Sequence, residues 1–146
     1  MRVVIQRVQK ASVEINHAVH AEIKQGYLVL VGIHKEDSIN DTIYLADKIL
    51  SLRIFPDLEH KMNLDIKAVQ GSLLVVSQFT LYANTAGGNR PDFIQAAPPE
   101  QAQKLYQAFI DRLKKGAVPV VSGIFGANMQ VTLTNDGPVT IIMDSR

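Results

Sequence analysis

The chain of 146 residues has the length of one globular domain. Apolar residues make up 47% of it and charged residues 20%, a balance that excludes a disordered or fibrous protein. Fifteen Lys and Arg side chains stand against fourteen Asp and Glu side chains, and the formal net charge of +1 excludes a protein that grips nucleic acid along many phosphates.

Cysteine is absent from the sequence, which removes disulfides, thiolate nucleophiles and thiolate metal ligands from the possible chemistry. No apolar run approaches the roughly 20 residues that a membrane-spanning helix requires. Residues 1–7 carry charge too early for a secretory signal and have the pattern of a strand. We therefore expect a cytoplasmic protein that has no membrane partner.

The first third of the chain has the alternation typical of β-strands. Val3, Ile5 and Val8 with their polar neighbours are typical of a first strand, and Ala11–Ile15 continues the β pattern. Asn16–His17 then predicts a hairpin into an alternating segment at residues 18–23. Beyond Gly26, the apolar run of residues 28–31 predicts a buried central strand.

Two segments have the periodicity of amphipathic helices. The first begins at Ser38, has apolar residues at helical spacing and ends near Leu52. The second opens with Pro98–Pro99 and keeps a single apolar stripe as far as Gly116. The sequence therefore predicts two main helices.

Further strands are predicted between and after the helices. Residues 72–77 predict a strand that runs into Gln78–Tyr82, and the sequence Asn135–Pro138 is typical of a hairpin turn. Three more strands are predicted at residues 118–121, 129–133 and 139–142. Strands outnumber helices and follow one another in hairpin-like pairs, so we predict an α+β fold. It is a single domain over residues 1–146, with a large, mostly antiparallel mixed sheet that curls toward a barrel.

Standard catalytic motifs are missing from the sequence. The four histidines form no zinc-type cluster, and we interpret them as exposed loop residues and expect no metal or other cofactor. The glycines of residues 87–90 lack the Lys-Ser/Thr pair of a phosphate-binding loop.

Ser77 and Thr80 are candidate nucleophiles, but neither has a base nearby in the sequence, and on residues alone each is interpreted as a strand hydroxyl. Pro138 cannot donate a ladder hydrogen bond, and the sequence leaves its cis or trans state open.

Four motifs occur together in the second half of the chain. They are Ser77–Tyr82 (S-Q-F-T-L-Y), Gly88–Phe93 (G-N-R-P-D-F), Phe125–Ala127 followed by Met129, and Asn135–Thr140 (N-D-G-P-V-T). Together these motifs strongly resemble the D-aminoacyl-tRNA deacylase family, and the similarity extends in order over essentially the whole chain. The first and last motifs are specific as a pair, whereas either alone would be only suggestive.

The resemblance implies a homodimeric enzyme that hydrolyses the ester between a D-amino acid and the terminal adenosine of tRNA. It implies that the reaction site lies at Phe79 and Thr80, whose main-chain N–H groups stabilise the developing oxyanion. Ser77 and Gln78 would position the substrate. The ribose 2′-hydroxyl of the substrate would replace a protein base, and a covalent role for Thr80 is the alternative.

The resemblance also assigns stereochemical selection to Gly137 and Pro138. In the family this peptide bond is cis and projects from one subunit into the pocket of the other, where its carbonyls exclude L side chains. Glycine permits close backbone approach, and proline fixes the direction of its carbonyl. Since glycine has no side chain to reject, activity on mischarged glycyl-tRNA(Ala) is also implied.

Four further residues receive weaker assignments from the resemblance. Met129 and Phe125 would line the pocket, although a core position is an even alternative for both. Arg7 would hold the Gly-Pro loop, and Arg90 would contact a tRNA phosphate unless it is simply a solvated charge. Ala86–Gly87 stands where the family often has a basic pair, which predicts weaker tRNA binding at this loop.

Three rival functions remain open from the sequence. One is a non-catalytic nucleic-acid-binding protein, which the near-neutral charge and the lack of a basic tail disfavour. Another is a structural or interaction protein that keeps the fold without activity, which the intact motifs disfavour. The last is a deacylase variant with a trans Gly-Pro bond, which would tolerate L-alanine.

Overall fold

A computed structural model of the chain describes residues 1–145. The strands are β1 (Arg2–Ile15), β2 (Ala18–Ile23), β3 (Gly26–Gly32), β4 (Phe55–Pro56), β5 (Met62–Leu64), β6 (Ser72–Ser77), β7 (Val120–Ser122) and β8 (Gln130–Asp144). The helices are α1 (Ile39–Ser51) and α2 (Pro99–Lys114), and a 3-10 turn, η1, spans Phe79–Tyr82.

The main sheet is built around the long strand β1. This strand pairs antiparallel with β8 along its length, with β3 at its beginning and with β2 at its end. Strands β3, β6 and β7 then continue the sheet in parallel. The result is a nearly closed, barrel-like mixed sheet with two helices, which confirms the predicted α+β fold.

The two helices supply the crossovers that parallel strands require. Helix α1 lies between β3 and β6 in the chain, and α2 lies between β6 and β7. Each helix buries one apolar face, as its sequence periodicity predicts. Arg112 of α2 forms a bidentate ion pair with Asp47 of α1 at 2.8 and 2.7 Å.

The apolar residues of β3 are divided between two core clusters. Tyr27 and Val29 belong to the cluster that includes the buried faces of both helices. Leu28 points the other way, into a cluster formed with Val13 and Val76. The strand is covered on both faces, which explains its continuous apolar sequence.

The segment Asn135–Pro138 does not form the predicted hairpin. It lies within β8, and the chain on either side of it pairs with β1 in the same direction. Gln6 pairs with Thr140 and Val8 with Asn135, so the turn residues form a bulge opposite Arg7 rather than a reversal of the chain. Three separate strands were predicted after α2, and the structure has two.

The segment Gln78–Tyr82 also differs from its prediction as a continuation of a strand. Strand β6 ends at Ser77, and residues 79–82 form the 3-10 turn η1. The interpretation of Thr80 as a strand hydroxyl was therefore wrong. Its amide and side chain belong to a tight turn at the end of the strand.

Candidate active site

A cavity of about 620 Å³ opens at the carboxyl ends of the parallel strands β3 and β6. This is the edge at which mixed α/β sheets usually bind ligands, and the volume lies within the range of small-molecule sites. The cavity is lined by Val31, Ile33, Val76, Ser77, Gln78, Phe79, Phe93, Ala96, Ala97, Pro99, Ala102, Phe125, Gly126, Ala127, Asn128, Met129 and Val131. Five of the residues predicted from the sequence are among them: Ser77, Gln78, Phe79, Phe125 and Met129.

The turn η1 is fastened directly to the end of β3. The amide N–H of Gln78 donates to the carbonyl oxygen of Val31 at 2.7 Å. Gly32 allows η1 to pack closely, because a Cβ at this position would lie 2.9 Å from the Cβ of Leu81 and 3.1 Å from the Gln78 carbonyl oxygen. The close packing of η1 therefore depends on a residue that has no side chain.

Among residues 1–145, the first two amide N–H groups of η1 have no hydrogen-bond acceptor. The N–H groups of Leu81 and Ala83 donate to the carbonyls of Gln78 and Thr80, whereas the N–H groups of Phe79 and Thr80 have no acceptor among residues 1–145. A donor pair of this kind can hold an oxyanion or a carbonyl oxygen of a substrate.

The side chains of Gln78 and Thr80 contact each other. The amide nitrogen of Gln78 donates to the hydroxyl oxygen of Thr80 in a short hydrogen bond. Within residues 1–145, no histidine, lysine or carboxylate is bonded to that hydroxyl. Thr80 itself is exposed and is not among the lining residues of the cavity, although its neighbour Phe79 is.

Aromatic rings form part of the cavity wall. The ring of Phe79 is 57% exposed and meets the edge of Phe93 at a centroid distance of 4.9 Å. Phe125 packs against Tyr106 at 5.8 Å, and the Tyr106 hydroxyl donates to the carbonyl of Val75 at 2.9 Å. Burial raises the pKa of the Tyr106 hydroxyl well above its usual value, so this group acts as a fixed hydrogen-bond donor.

Met129 reaches the cavity because Gly123 leaves space for it. A Cβ at Gly123 would lie 2.4 Å from the Met129 sulfur. The backbone of Gly123 has no unusual conformation, so the close contact would come from the nearby Met129 side chain alone. Met129 and Phe125 thus line the cavity while also packing against the two core clusters.

Several lining residues were not predicted from the sequence. Val31 and Ile33 come from the end of β3, Ala96 and Ala97 precede α2, and Asn128 follows the Phe125 motif. The sequence could have indicated Val31 and Ile33 only if the predicted central strand had been placed beside the strand that ends at Ser77. Asn128 could have been indicated only because it lies between two motif residues, Ala127 and Met129.

Gly137 and Pro138 lie outside this cavity in the single chain. Gly137 is six residues beyond Val131, the lining residue on β8, on the order of 20 Å at the usual rise of a strand. The peptide bond between Gly137 and Pro138 is cis. The structure therefore does not bring together all the residues that the sequence motifs single out.

The bulge that contains Gly137 is held by Arg7 and Asn135. Arg7 is buried, and its guanidinium donates to the carbonyl oxygens of Asp136, at 3.0 Å, and of Ile54. The Asn135 side chain accepts a 2.8 Å hydrogen bond from the Val139 N–H. These side chains replace the ladder partners that the bulge removes.

Gly137 has no room for a side chain. Its φ of +130° lies outside the region that L residues adopt readily. A Cβ would lie 2.8 Å from Val139 Cγ2 and 2.9 Å from Arg7 Nη2. The loop backbone is therefore specific for glycine at this position.

Arg90 lies in the exposed loop after η1, away from the residues that line the cavity. The loop is closed by backbone hydrogen bonds between Asn84 and Asp92 and by a 3.0 Å side-chain contact between the same residues. Arg90 has no ion-pair partner within the part of the chain that the structure describes. Its charge is available to a ligand or to solvent.

The histidines differ in part from their prediction as exposed loop residues. His17 and His60 are exposed, but His20 lies on β2. His34 is partly buried, with its ring against Tyr82 and its Nε2 3.0 Å from Gln95 Oε1. No three His, Cys, Asp or Glu side chains in residues 1–145 are grouped so as to hold a metal ion. Neither α1 nor α2, nor any other helix in that range, combines the length and apolar character needed to cross a membrane.

Comparisons with known proteins extend the sequence resemblance. A sequence profile described as D-Tyr-tRNA(Tyr) deacylase matches residues 4–144. The D-aminoacyl-tRNA deacylase of Finegoldia magna is 53% identical over 146 residues, which cover 100% of this chain and 99% of that protein. The corresponding protein of Thermodesulfovibrio yellowstonii is 51% identical, with 100% of both chains covered.

Two solved structures have the same fold. One, called c-Myc DNA Unwinding Element Binding Protein, matches with a TM-score of 0.94 and 42% identity, covering 100% of this chain and 99% of that one. The other, described as a probable eukaryotic D-amino acid tRNA deacylase, has a TM-score of 0.86 at 16% identity, with 98% of each chain covered. The second likeness shows the fold alone.

The family match and these relatives place the chain among the hydrolases that act on ester bonds. It belongs to the D-aminoacyl-tRNA deacylase family, as its sequence motifs predict.

Proposed function

We propose that the chain removes D-amino acids from tRNA by hydrolysing the ester in the cavity beside η1, and that it rejects L-aminoacyl esters. The family supplies the reaction class, and the cavity has the size and the mixed apolar and polar lining of a small-molecule site. As a consequence, the protein would act as a chiral proofreading enzyme on the cytoplasmic pool of aminoacyl-tRNA.

The main support for the catalytic part of this proposal is the unpartnered amide pair of Phe79 and Thr80. When water attacks the ester carbonyl, negative charge develops on its oxygen. Fixed N–H donors stabilise that charge without reorganising, and removal of one such donor typically lowers kcat by about 10²–10³. In this proposal the two amides form the oxyanion hole, and Ser77 and Gln78 position the substrate.

The hydroxyl of Thr80 has a supporting role in this mechanism. A nucleophilic hydroxyl requires an adjacent base that takes its proton, and the observed partner of Thr80 is the Gln78 amide, which is a donor. We infer that the ribose 2′-hydroxyl of the substrate assists the attacking water. An aminoacyl ester is reactive enough that the protein need only hold it and stabilise its transition state.

Stereochemical selection is assigned to Gly137 and Pro138 of a second copy of the chain. Their distance from the cavity of their own chain supports a site completed by a partner. In the proposed homodimer, the rigid backbone of this bulge enters the cavity of the other subunit and leaves no space for an L side chain. Arg7 keeps the bulge in position. Glycyl esters would be accepted, since they carry no side chain.

Arg90 is proposed as a contact to a tRNA phosphate. Its charge is exposed and has no ion-pair partner in the described chain. With a formal net charge of +1, few counterions would be released on binding, and the affinity should fall only gently with salt.

The direct test is to follow ester loss from D-aminoacyl-, glycyl- and L-aminoacyl-tRNA with the purified protein. Loss of the D- and glycyl esters, with the L-ester intact, is expected. Rapid hydrolysis of L-alanyl-tRNA would contradict the stereochemical assignment. Binding of nucleic acid without turnover of any ester would favour a non-catalytic function, in line with the name of the 42% identical relative.

The oxyanion hole is tested with two substitutions at one position. Phe79→Pro removes the amide N–H at the first residue of η1, where proline is well tolerated. Phe79→Ala removes the ring but keeps the N–H. We expect Phe79→Pro to lower kcat by about 10²-fold relative to Phe79→Ala. Thr80→Ala should keep most of the activity, and its complete loss in a folded protein would restore Thr80 as the nucleophile.

A further inference from the structure

The far end of η1 is contacted by Arg2, at the start of β1. Arg2 Nη1 donates to the carbonyl oxygen of Leu81 at 3.4 Å. Its guanidinium carbon lies 5.5 Å from the ring centroid of Tyr82, within the range of a cation–π contact. One side chain thus touches both of the last two residues of the turn that begins with Phe79 and Thr80.

Arg2 is itself fixed by Asp144, its pairing partner on β8. Nε and Nη2 donate to the two carboxylate oxygens of Asp144 at 2.8 and 3.2 Å. A bidentate pair sets the plane of the guanidinium as well as its position. The third nitrogen, Nη1, is the one directed to Leu81.

Further contacts of η1 come from β3, from the segment after it and from Phe93, whose ring meets Phe79. Gln78 is bonded to Val31, Leu81 packs on Gly32, and the Tyr82 ring meets His34 at 5.2 Å. Arg2 supplies a tether from a different part of the sheet, where β1 and β8 pair. The turn is therefore held between two parts of the sheet rather than against one strand.

We infer that Arg2, oriented by Asp144, is a positioning residue for the reaction site. It acts through the Leu81 carbonyl and the Tyr82 ring to fix the orientation of the Phe79 and Thr80 amides. The inference rests on the proposed function in so far as those amides are the oxyanion donors. Small displacements of catalytic donors have large effects, since a shift of about 1 Å can cost about 10²-fold in rate.

The chain provides a matched control in the ion pair between Arg112 and Asp47. That pair is also bidentate, at 2.8 and 2.7 Å, and its side chains are 39% and 47% exposed, against 40% and 39% for Arg2 and Asp144. It joins α1 to α2 and makes no contact with η1. Arg112→Gln thus removes an equivalent ion pair without touching the turn.

The kinetic test compares Arg2→Gln, Arg2→Lys and Arg112→Gln on D-aminoacyl-tRNA. We expect Arg2→Gln to lower kcat roughly tenfold or more with little change in KM, because orientation in the transition state is lost rather than substrate binding. Arg2→Lys keeps the charge but not the bidentate geometry, so it should recover only part of kcat. Arg112→Gln should match the wild type. A KM effect alone, or an equal effect of Arg112→Gln, would overturn the inference.

Hydrogen exchange provides a readout that does not depend on activity. The amides of Leu81 and Ala83 are protected by hydrogen bonds within the turn, and a loosened turn should expose them more often. Arg2→Gln should speed their exchange, and Arg112→Gln should leave it unchanged. Unchanged exchange in Arg2→Gln contradicts the positioning role even if activity falls. If Arg2→Gln exchanges faster but the wild type hydrolyses no ester, the contact between Arg2 and η1 is supported and the proposed function is contradicted.

Discussion

At the scale of single residues, Gly137 shows how strongly the backbone of the bulge limits its sequence. We expect Gly137→Ala to lower the free energy of unfolding by about 1–3 kcal/mol, since the side chain meets Val139 and Arg7 and the φ of +130° is strained for alanine. Chemical denaturation of the two proteins measures the difference. Gly87→Ala is the matched control, because a Cβ there has no neighbour within 4 Å. Equal stability of the Gly137→Ala protein and the wild type would contradict the account of this bulge.

Tyr106 links α2 to strand β6, which ends at the candidate active site. Tyr106→Phe keeps the ring that packs on Phe125 but removes the hydrogen bond to Val75. The Val75 carbonyl still accepts from the Gly123 N–H, so the expected loss of stability is about 1 kcal/mol. A urea titration should reveal this loss, whereas Tyr44→Phe on the exposed surface of α1 should show none. A stability equal to that of the wild type would mean that the buried hydroxyl contributes nothing.

At the scale of elements, the start of α1 depends on Asp41. This carboxylate accepts hydrogen bonds from the N–H and hydroxyl of Ser38, both at 2.8 Å. Burial raises its pKa, but hydrogen bonds from Ser145 and Ser38 and the nearby Met1 ammonium outweigh burial and lower the pKa from 3.8 to about 2. Asp41 is therefore more acidic in the folded protein than in the unfolded chain.

A lowered pKa of an acid stabilises the folded state above the unfolded pKa, and the effect is lost as the pH falls through the folded pKa. Asp41→Asn should consequently be less stable than the wild type at pH 7, and the difference should shrink between about pH 4 and pH 2. Thermal unfolding of both proteins across this range measures it. A difference that stays constant down to pH 2 would show that the Asp41 charge is not involved.

The elements that could be predicted from the sequence are those with local signals. Helix α1 begins with a capping box, α2 begins with prolines, and both have an apolar stripe within their own segments. The paired motifs indicated Ser77 to Phe79, all of which line the cavity. The continuity of β8 could not be predicted in this way, since Asn135–Pro138 has the composition of a turn. Only the pairing of both halves with β1, distant in sequence, decides between a turn and a bulge.

The same reasoning explains which site residues the sequence did not indicate. Val31, Gly32 and Arg2 reach the site through strand pairing, and nothing in their immediate neighbours marks them as functional. Gly32 matters because it has no side chain, and the lack of a side chain is important only because η1 packs against this position. Residues that belong to a sequence motif were easier to identify than the residues that pack against them.

At the scale of the whole molecule, the separation between the cavity and Gly137 within one chain leads to a test of the proposed homodimer. In a symmetric dimer with shared sites, a Phe79→Pro subunit still supplies an intact bulge, and a Gly137→Ala subunit still supplies an intact cavity. Each variant alone should be nearly inactive. After random subunit exchange, half of the dimers are mixed and each has one intact site of two, so about a quarter of wild-type activity should return. Native mass spectrometry would verify the exchange, and each variant mixed with itself is the control. No recovery after verified exchange would mean that cavity and bulge do not meet across a subunit boundary.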